Sequence, residues 1–141
     1  MTVGFYGCTT TCLSMLSDYF GCYVSPDQLA HNAHNYTPDG LIVWSNLLFG
    51  HMAFVQRDFN PTTDGIFLAL AGKDTAVMLE VQLAKGKHWL VGARNPYPWE
   101  FGHKGDFRAA DPWTGKYIWV KQTYGNITGA AFFKRFNQYR K

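Results

Sequence analysis

The chain has 141 residues, of which 47% are apolar and 16% charged, and its formal net charge is +3. This length predicts a single domain over residues 1–141, and the apolar content excludes an intrinsically disordered chain. The modest positive charge is spread along the sequence, so we expect no nucleic-acid partner. The sequence shows no cofactor motif, no signal peptide and no apolar run of membrane-spanning length, and it leaves the compartment open.

The first predicted helix carries Cys8 at or just before its N-terminus. Apolar residues from Cys12 to Phe20 recur at the spacing of one buried helix face, and Gly21 follows where a left-handed residue would end the helix. Upstream, residues 9–11 are three threonines whose hydroxyls offer caps. The unpaired N–H groups and the dipole at a helix start favour a thiolate. Cys8 is therefore a candidate nucleophile, and the alternative is a small buried residue.

The chain has three cysteines, all within its first 22 residues. An odd number crowded in this way does not indicate a disulfide framework, and Cys12 and Cys22 are interpreted as structural. Cys12 lies one helical turn beyond Cys8, within the apolar face. We therefore expect Cys12 to be buried and unreactive and Cys8 to be at least partly accessible.

A second helix is predicted from Pro26 to about residue 35. Ser25 would cap it, and Gln28 would complete a capping box. His31 and His34 lie three residues apart on this helix, a spacing that can place two metal ligands together. No cysteine or carboxylate nearby completes such a site, so we interpret them as solvated histidines and expect no metal.

The rest of the chain changes from helical to extended character. The first half is completed by a short buried helix at 41–49, a strand at 52–56 and a helix at about 64–70 that Thr62 or Thr63 can cap. The second half contains five predicted strands, at 75–82, 88–93, 107–110, 117–120 and 130–136, with a loop at 95–104. The first two of these strands are predicted to form an antiparallel hairpin, and a turn follows Asp111. Helices followed by an antiparallel sheet predict an α+β domain.

His88 and Asp111 are the candidate partners of the thiol. Cysteine hydrolysis needs a thiolate, a base, and a group that fixes the tautomer of that base. His88 begins one predicted strand and Asp111 ends another, so the two approach each other if the strands are neighbours. Taken singly, such a histidine is more often structural, and an aspartate before Pro112 more often bonds its own backbone.

The residues around these positions resemble a known family. The stretch at 6–16 (YGCTTTCLSML), the helix start at 25–29 (SPDQL), His88-Trp89-Leu90-Val91 and the turn at 111–115 (DPWTG) together resemble the double-glycine leader peptidase-like family. These are papain-like cysteine peptidases, typified by bacteriocin-processing domains and related phage and bacterial surface modules. The resemblance covers residues 3 to about 120. It implies a papain-like fold with N-terminal helices packed on a C-terminal antiparallel sheet, with Cys8 as nucleophile, His88 as base and Asp111 orienting the base.

One departure from the family concerns the oxyanion hole. Family members usually carry a glutamine upstream of the nucleophile, and none occurs among the seven residues before Cys8. Loss of one oxyanion donor typically lowers turnover by ~10²–10³. The backbone N–H of Cys8 would supply one donor, and Asn95 and Gln82 are candidates for another by residue type. Alternatively, the upstream segment has been lost, or the chain is a degenerate member of the family.

The resemblance implies hydrolysis of amide bonds in a leader-type peptide or in bacterial cell-wall peptide. It also implies a place in a larger phage or surface assembly, on the virion or at the bacterial cell wall. Two alternatives stay open. One is a catalytically weak or inactive papain-like module that binds an extended peptide or protein partner. The other is acyl transfer by the same residues, because water and amines compete for one thioester.

Overall fold

The computed structural model describes residues 5–31, 44, 48–49, 51–93 and 106–136. Within these ranges it contains four helices and seven strands. The helices are α1 (Phe5–Tyr19), α2 (Pro26–Ala30), α3 (Thr63–Ala71) and α4 (Val120–Tyr124). The strands are β1 (Leu48–Phe49), β2 (Met52–Asp58), β3 (Thr75–Leu83), β4 (Gly86–Gly92), β5 (Arg108–Asp111), β6 (Lys116–Trp119) and β7 (Ile127–Arg135).

Helix α1 ends as the sequence predicts but begins earlier. Gly21 has φ +90°, and the N–H groups of Gly21 and Cys22 bond to the carbonyls of Asp18 and Ser17 at 3.0 and 3.1 Å. This is a Schellman ending, which needs a left-handed residue. The helix starts three residues before Cys8, so Cys8 lies at the end of the first turn rather than before it. The three threonines after it are therefore inside the helix and not at its cap.

The two shorter N-terminal helices are capped as predicted. The Ser25 hydroxyl accepts from Gln28 N–H at 3.2 Å, and the Gln28 side chain accepts from Ser25 N–H at 2.9 Å, which completes the capping box. Thr62 caps α3 by accepting from Gly65 N–H at 3.0 Å. Helix α2 ends at Ala30, short of the predicted end. The helix expected over 41–49 is wrong at 48–49, which form β1, and most of its other residues lie outside the described ranges.

The strands follow the sequence prediction closely in the second half. The β3–β4 hairpin is confirmed, with Val81 opposite His88 and Gln82 opposite Lys87. Helix α4 was not anticipated, and it lies between β6 and β7 in the chain. The loop expected over 95–104 lies outside the described residues.

All pairings in the sheet are antiparallel, and the strand order is β1-β2-β7-β3-β4-β5-β6. This confirms the α+β class. The expected order of N-terminal helices and a C-terminal sheet holds in part: β1 and β2 from the first half join the sheet, and the short helix α4 follows β6. Among the described residues, no helix combines the length and the apolar character needed to cross a bilayer.

The two faces of the sheet carry two separate cores. One core lies against α1 and α2 and includes Cys8, Cys12 and Trp89. The other lies against α3 and α4 and includes Val81, Leu90 and other side chains that alternate with the first set. Because successive residues of a strand point to opposite faces, this alternation decides which candidate site residues share a face.

Candidate active site

His88 and Asp111 form a buried hydrogen-bonded pair. Strands β4 and β5 are neighbours, with Val91 opposite Ala110, and this brings the two side chains together. The His88 Nε2 and Asp111 Oδ1 atoms are 3.0 Å apart, and the side chains are 0% and 1% exposed. The predicted approach of His88 and Asp111 is therefore confirmed.

The Asp111 carboxylate has further donors besides the imidazole. Oδ1 also accepts from the backbone N–H of Trp113 at 2.9 Å, and Oδ2 accepts from the Tyr124 hydroxyl. A buried carboxylate is expensive to desolvate unless its oxygens are hydrogen-bonded. Three donors therefore satisfy the oxygens of this buried carboxylate.

Aromatic rings hold the imidazole in place. The Trp113 ring stacks on His88 with centroids 3.6 Å apart and planes at 24°, and the Tyr124 ring meets it at 5.2 Å and 69°. Within the described residues, His88 Nδ1 has no hydrogen-bond partner although it is buried. Because Nε2 is the nitrogen that faces the carboxylate, the neutral ring carries its proton there and presents a lone pair at Nδ1. Burial lowers the pKa of His88, and the charge of Asp111 opposes this effect.

The two thiols of α1 meet the backbone of Trp89. The Cys8 sulfur accepts hydrogen bonds from the Trp89 backbone and from Thr9, and the Cys12 thiol donates to the Trp89 carbonyl at 3.4 Å. Helix α1 packs here against β4, which pairs with β5 only at Val91 and Gly92. The two cysteines therefore contact β4 at a point where it is not paired with β5.

This packing buries both thiols. Cys12 is 0% exposed, as predicted, but Cys8 is also 0% exposed, so the expected accessibility of Cys8 is wrong in this structure. The cause is the position of Cys8 inside α1, where the same helix face that carries Cys12 presses it onto β4. Burial raises the pKa of the Cys8 thiol; the hydrogen bonds oppose the rise and the charge of Asp111 adds to it. Burial, the neighbouring Cys8 and the charge of Asp111 raise the pKa of Cys12 further.

The three predicted residues converge on β4, but only two of them are bonded to each other. Cys8 lies against the backbone of Trp89, one residue along the strand from His88. The Trp89 ring belongs to the core of the α1 face, whereas His88 pairs with Val81 and points to the α4 face. Since Nδ1 has no partner among the described residues, no hydrogen bond joins the imidazole to the thiol in this conformation.

The candidate oxyanion donors are weaker than the sequence suggested. With α1 beginning at Phe5, the Cys8 N–H lies where hydrogen bonding within the helix begins. Gln82 is exposed, and its side-chain amide donates to the Leu83 carbonyl at 3.1 Å. Asn95 lies outside the described residues.

Sequence reasoning missed the roles of two aromatic residues. Trp113 stands two residues after Asp111, and its position in the Asp-Pro-Trp turn was a signal that could have placed its ring near the pair. Tyr124 carries no such signal, because its contact with Asp111 depends on the path of α4. Its identity as a site residue comes only from the fold.

Of the two histidines predicted to be solvated, only His31 is among the described residues. His31 is exposed, and its Nδ1 lies 2.6 Å from the Asp27 carbonyl; His34 lies outside the described ranges. In the part of the chain that the structure describes, no group of three or more His, Cys, Asp or Glu side chains is placed to hold a metal ion.

A groove of about 710 Å³ opens beyond the site, along the second half of α1. Apolar side chains form most of its wall, and Asp18 and Arg108 supply one charge of each sign. Ala110 is part of this wall, but successive strand residues point to opposite faces, so Asp111 faces away from the groove, and its described lining includes neither Cys8 nor His88. The other lining residues include Met15, Leu16, Tyr19, Val91 and Tyr117.

Comparisons of this chain with known proteins give no relative. No protein-family model, no curated protein and no solved structure matches it.

Proposed function

We propose that this protein is a papain-like cysteine hydrolase that cuts amide bonds in peptides. Cys8 is the nucleophile and His88 is the base. Asp111 orients the base and stabilises its protonated form. The observation that carries the proposal is the buried His88–Asp111 hydrogen bond, which leaves Nδ1 as an unpartnered acceptor among the described residues. Nucleophilic catalysis also requires the thiol within hydrogen-bonding reach of that nitrogen, and no hydrogen bond joins Cys8 to His88 in this conformation.

The reaction begins with proton transfer from the Cys8 thiol to Nδ1 of His88. The thiolate attacks the carbonyl carbon of the substrate, and the new C–S bond leaves the negative charge on the carbonyl oxygen. The imidazolium then protonates the leaving amine as the C–N bond breaks, which gives a thioester. Water, deprotonated by His88, hydrolyses this thioester and restores the thiol. Asp111 stabilises the imidazolium in both halves of the cycle.

This reaction needs the sulfur to move from the Trp89 N–H to a position within reach of Nδ1. Cys8 and His88 are both fully buried, so a substrate also has to displace some of the residues that cover them. Catalytic hydrogen bonds are often loose before substrate binds and tighten in the complex. The groove along α1 has the volume and the apolar wall to hold a peptide segment.

Leader-type peptides or the peptides of bacterial cell wall are the proposed substrates. This assignment follows the resemblance of residues 3 to about 120 to the double-glycine leader peptidase-like family. The same resemblance supports association with a phage particle or a bacterial surface assembly.

The second candidate is a catalytically weak or inactive papain-like module that uses the groove to bind an extended peptide. Two observations favour it. The Cys8 thiol is fully buried, and burial raises its pKa, so the thiol form is favoured over the nucleophilic thiolate. It is also held by the backbone of Trp89 and not by His88.

Selective alkylation of Cys8 tests the two candidates. The experiment uses a Cys22→Ser background, because Cys22 is partly exposed and would react irrespective of catalysis. Brief treatment with iodoacetamide near neutral pH, followed by peptide mass spectrometry, should label Cys8. Cys12 is the internal control, since it has the same burial and contacts the same strand residue. We expect His88→Ala to lower the Cys8 rate by ~10²-fold or more, because the base is lost.

Asp111→Asn should lower the same rate, because the amide no longer stabilises the imidazolium. Equal, slow labelling of Cys8 and Cys12, unchanged by either substitution, would reject the hydrolase and leave the binding module.

Turnover of model peptides is expected to be low. An N-terminal extension carrying the family's glutamine should raise turnover by ~10–10³-fold if only that oxyanion donor is missing. High turnover without the extension would show that the chain already has a second donor.

A further inference from the structure

Helix α4 is fixed at its start by a carboxylate from outside the helix. Its own N-cap residue, Trp119, makes no side-chain cap bond. Instead, the buried Asp106 accepts from the N–H groups of Lys121 and Gln122 at 2.7 and 3.1 Å, and from Phe107 N–H at 2.7 Å. These bonds satisfy donors that a helix start leaves unpaired. They also tie α4 to the residues that lead into β5.

At its other end, α4 presents Tyr124 to the carboxylate of Asp111. Tyr124 is the last residue of the helix, and Gly125 follows with φ +92°, where the chain turns towards β7. The hydroxyl of Tyr124 donates to Oδ2, while Oδ1 takes the bonds from His88 and Trp113. The two ends of this short helix thus connect Asp106 to the His88–Asp111 pair.

The Tyr124 hydroxyl acts as a donor throughout the neutral range. Burial and the bond to Asp111 raise the pKa of Tyr124 well above its ordinary value. Among the described residues, the charge of Asp111 also acts on His88 and, from α1, on the thiols of Cys8 and Cys12. A donor on Oδ2 draws negative charge away from the oxygen that faces the imidazole. It also fixes the plane of the carboxylate.

We propose that Tyr124 is a positioning residue of this site: through Asp111 it sets the orientation of His88 and the pH at which His88 releases its proton. The catalytic meaning of this role rests on the proposed hydrolase function. The effect on His88 itself does not, because it can be measured on the resting protein.

The test is Tyr124→Phe, followed by NMR titration of the His88 ring in isotope-labelled protein. Without the hydroxyl, more of the negative charge of Asp111 faces the imidazolium, so the pKa of His88 should rise by roughly one unit. The matched control is Tyr117→Phe, because Tyr117 is 63% exposed on the edge strand β6 and lies outside the hydrogen-bond network. This control should leave the His88 titration unchanged.

A second variant guards against loss of folding in Tyr124→Phe. Incorporation of 3-fluorotyrosine at position 124 keeps the ring and the hydroxyl but makes the phenol a stronger acid and a stronger donor. The pKa of His88 should then fall, opposite in sign to the phenylalanine variant. A titration that moves in neither variant, or that moves equally in Tyr117→Phe, would show that Tyr124 only fills space.

The outcome for catalysis is separate. If the hydrolase proposal is right, the pH dependence of Cys8 alkylation should shift with the His88 titration in each variant. If the His88 titration shifts but the pH dependence of Cys8 alkylation does not follow it, the positioning role of Tyr124 stands and the hydrolase proposal fails.

Discussion

Two buried carboxylates lie on strands that β4 separates, and their partners differ in kind. Glu80 on β3 is 2% exposed and Asp111 on β5 is 1% exposed. Glu80 accepts from Arg57 at 2.8 Å and from the Thr128 hydroxyl at 3.0 Å, with the Lys87 ammonium at 3.6 Å. Asp111 accepts from an imidazole, a phenol and a backbone amide. In the described part of the chain, no lysine or arginine pairs with Asp111.

The difference separates a structural carboxylate from one suited to chemistry. Arg57 keeps its charge at every pH that the fold survives, and it also lies over the rings of Phe59 and Trp89 at 4.3 and 4.7 Å. Glu80 therefore has a permanently charged partner. A histidine can take and release a proton near neutral pH, so the environment of Asp111 would change charge during the proposed reaction. Burial alone does not distinguish the two carboxylates; the identity of the partners does.

Removing the cation of Glu80 should give the largest effect on stability. Arg57→Met leaves a buried carboxylate with only the partly exposed Lys87 and Thr128 as partners, and we expect a loss of ~3–5 kcal/mol in the free energy of unfolding. Urea unfolding of the variant and the parent measures this. The control is the double variant with Glu80→Met, which removes both charges and should recover much of the loss. A small loss in the single variant would mean that Lys87 replaces Arg57, and the two carboxylates would then be less different than proposed.

The Arg57–Glu80 pair depends on a glycine between its two strands. Strand β7 lies between β2 and β3, and Gly129 stands opposite Glu80. A Cβ atom at Gly129 would lie 2.6 Å from Arg57 Nη1 and 2.7 Å from Glu80 Oε1. Gly129→Ala should therefore disturb the ion pair and cost ~1–3 kcal/mol of stability, measured by the same unfolding experiment. The control is Gly129→Ala in the Arg57→Met, Glu80→Met background, where the substitution should cost less because the pair is gone.

A pH titration of stability should separate the two clusters by their response. The folded protein lowers the pKa of His88 from 6.5, so stability is full above about pH 6.5 and is lost as the pH falls below it. It raises the pKa values of Cys8 and Cys12 from 9.0, so stability is lost again as the pH rises above about 9. His88→Gln should flatten the first decline and Arg57→Met should not. An acid decline that survives in His88→Gln would assign it to other groups.

The contrast between the clusters also shows what the sequence could predict. His88 and Asp111 lie on neighbouring strands of a short antiparallel run, each next to a recognisable turn, so their meeting followed from local patterns. Arg57 and Glu80 meet across an intervening strand, and nothing near either residue indicates that β7 inserts between them. Helix caps at Ser25 and Thr62 were predictable for the same local reason.

The errors have a common physical cause. The position of Cys8 depended on where α1 begins, and the threonines that follow it favoured a later start than the fold adopts. Its burial depended on α1 covering β4, which is tertiary packing. The contact of Tyr124 with Asp111 likewise depends on α4, a helix of five residues that has too few positions to show periodicity.

The central place of β7 has a consequence for how the protein is made. This strand follows the other described strands in the chain and fills the gap between β2 and β3, so all of them leave the ribosome before the sheet can be joined. Until then, the β2 side and the β3–β6 side each expose an unpaired edge, which is a hazard for association with other chains. Residues far apart in sequence must also meet late, which slows folding. During synthesis, the strands on both sides of β7 are therefore made before the strand that joins them into one sheet.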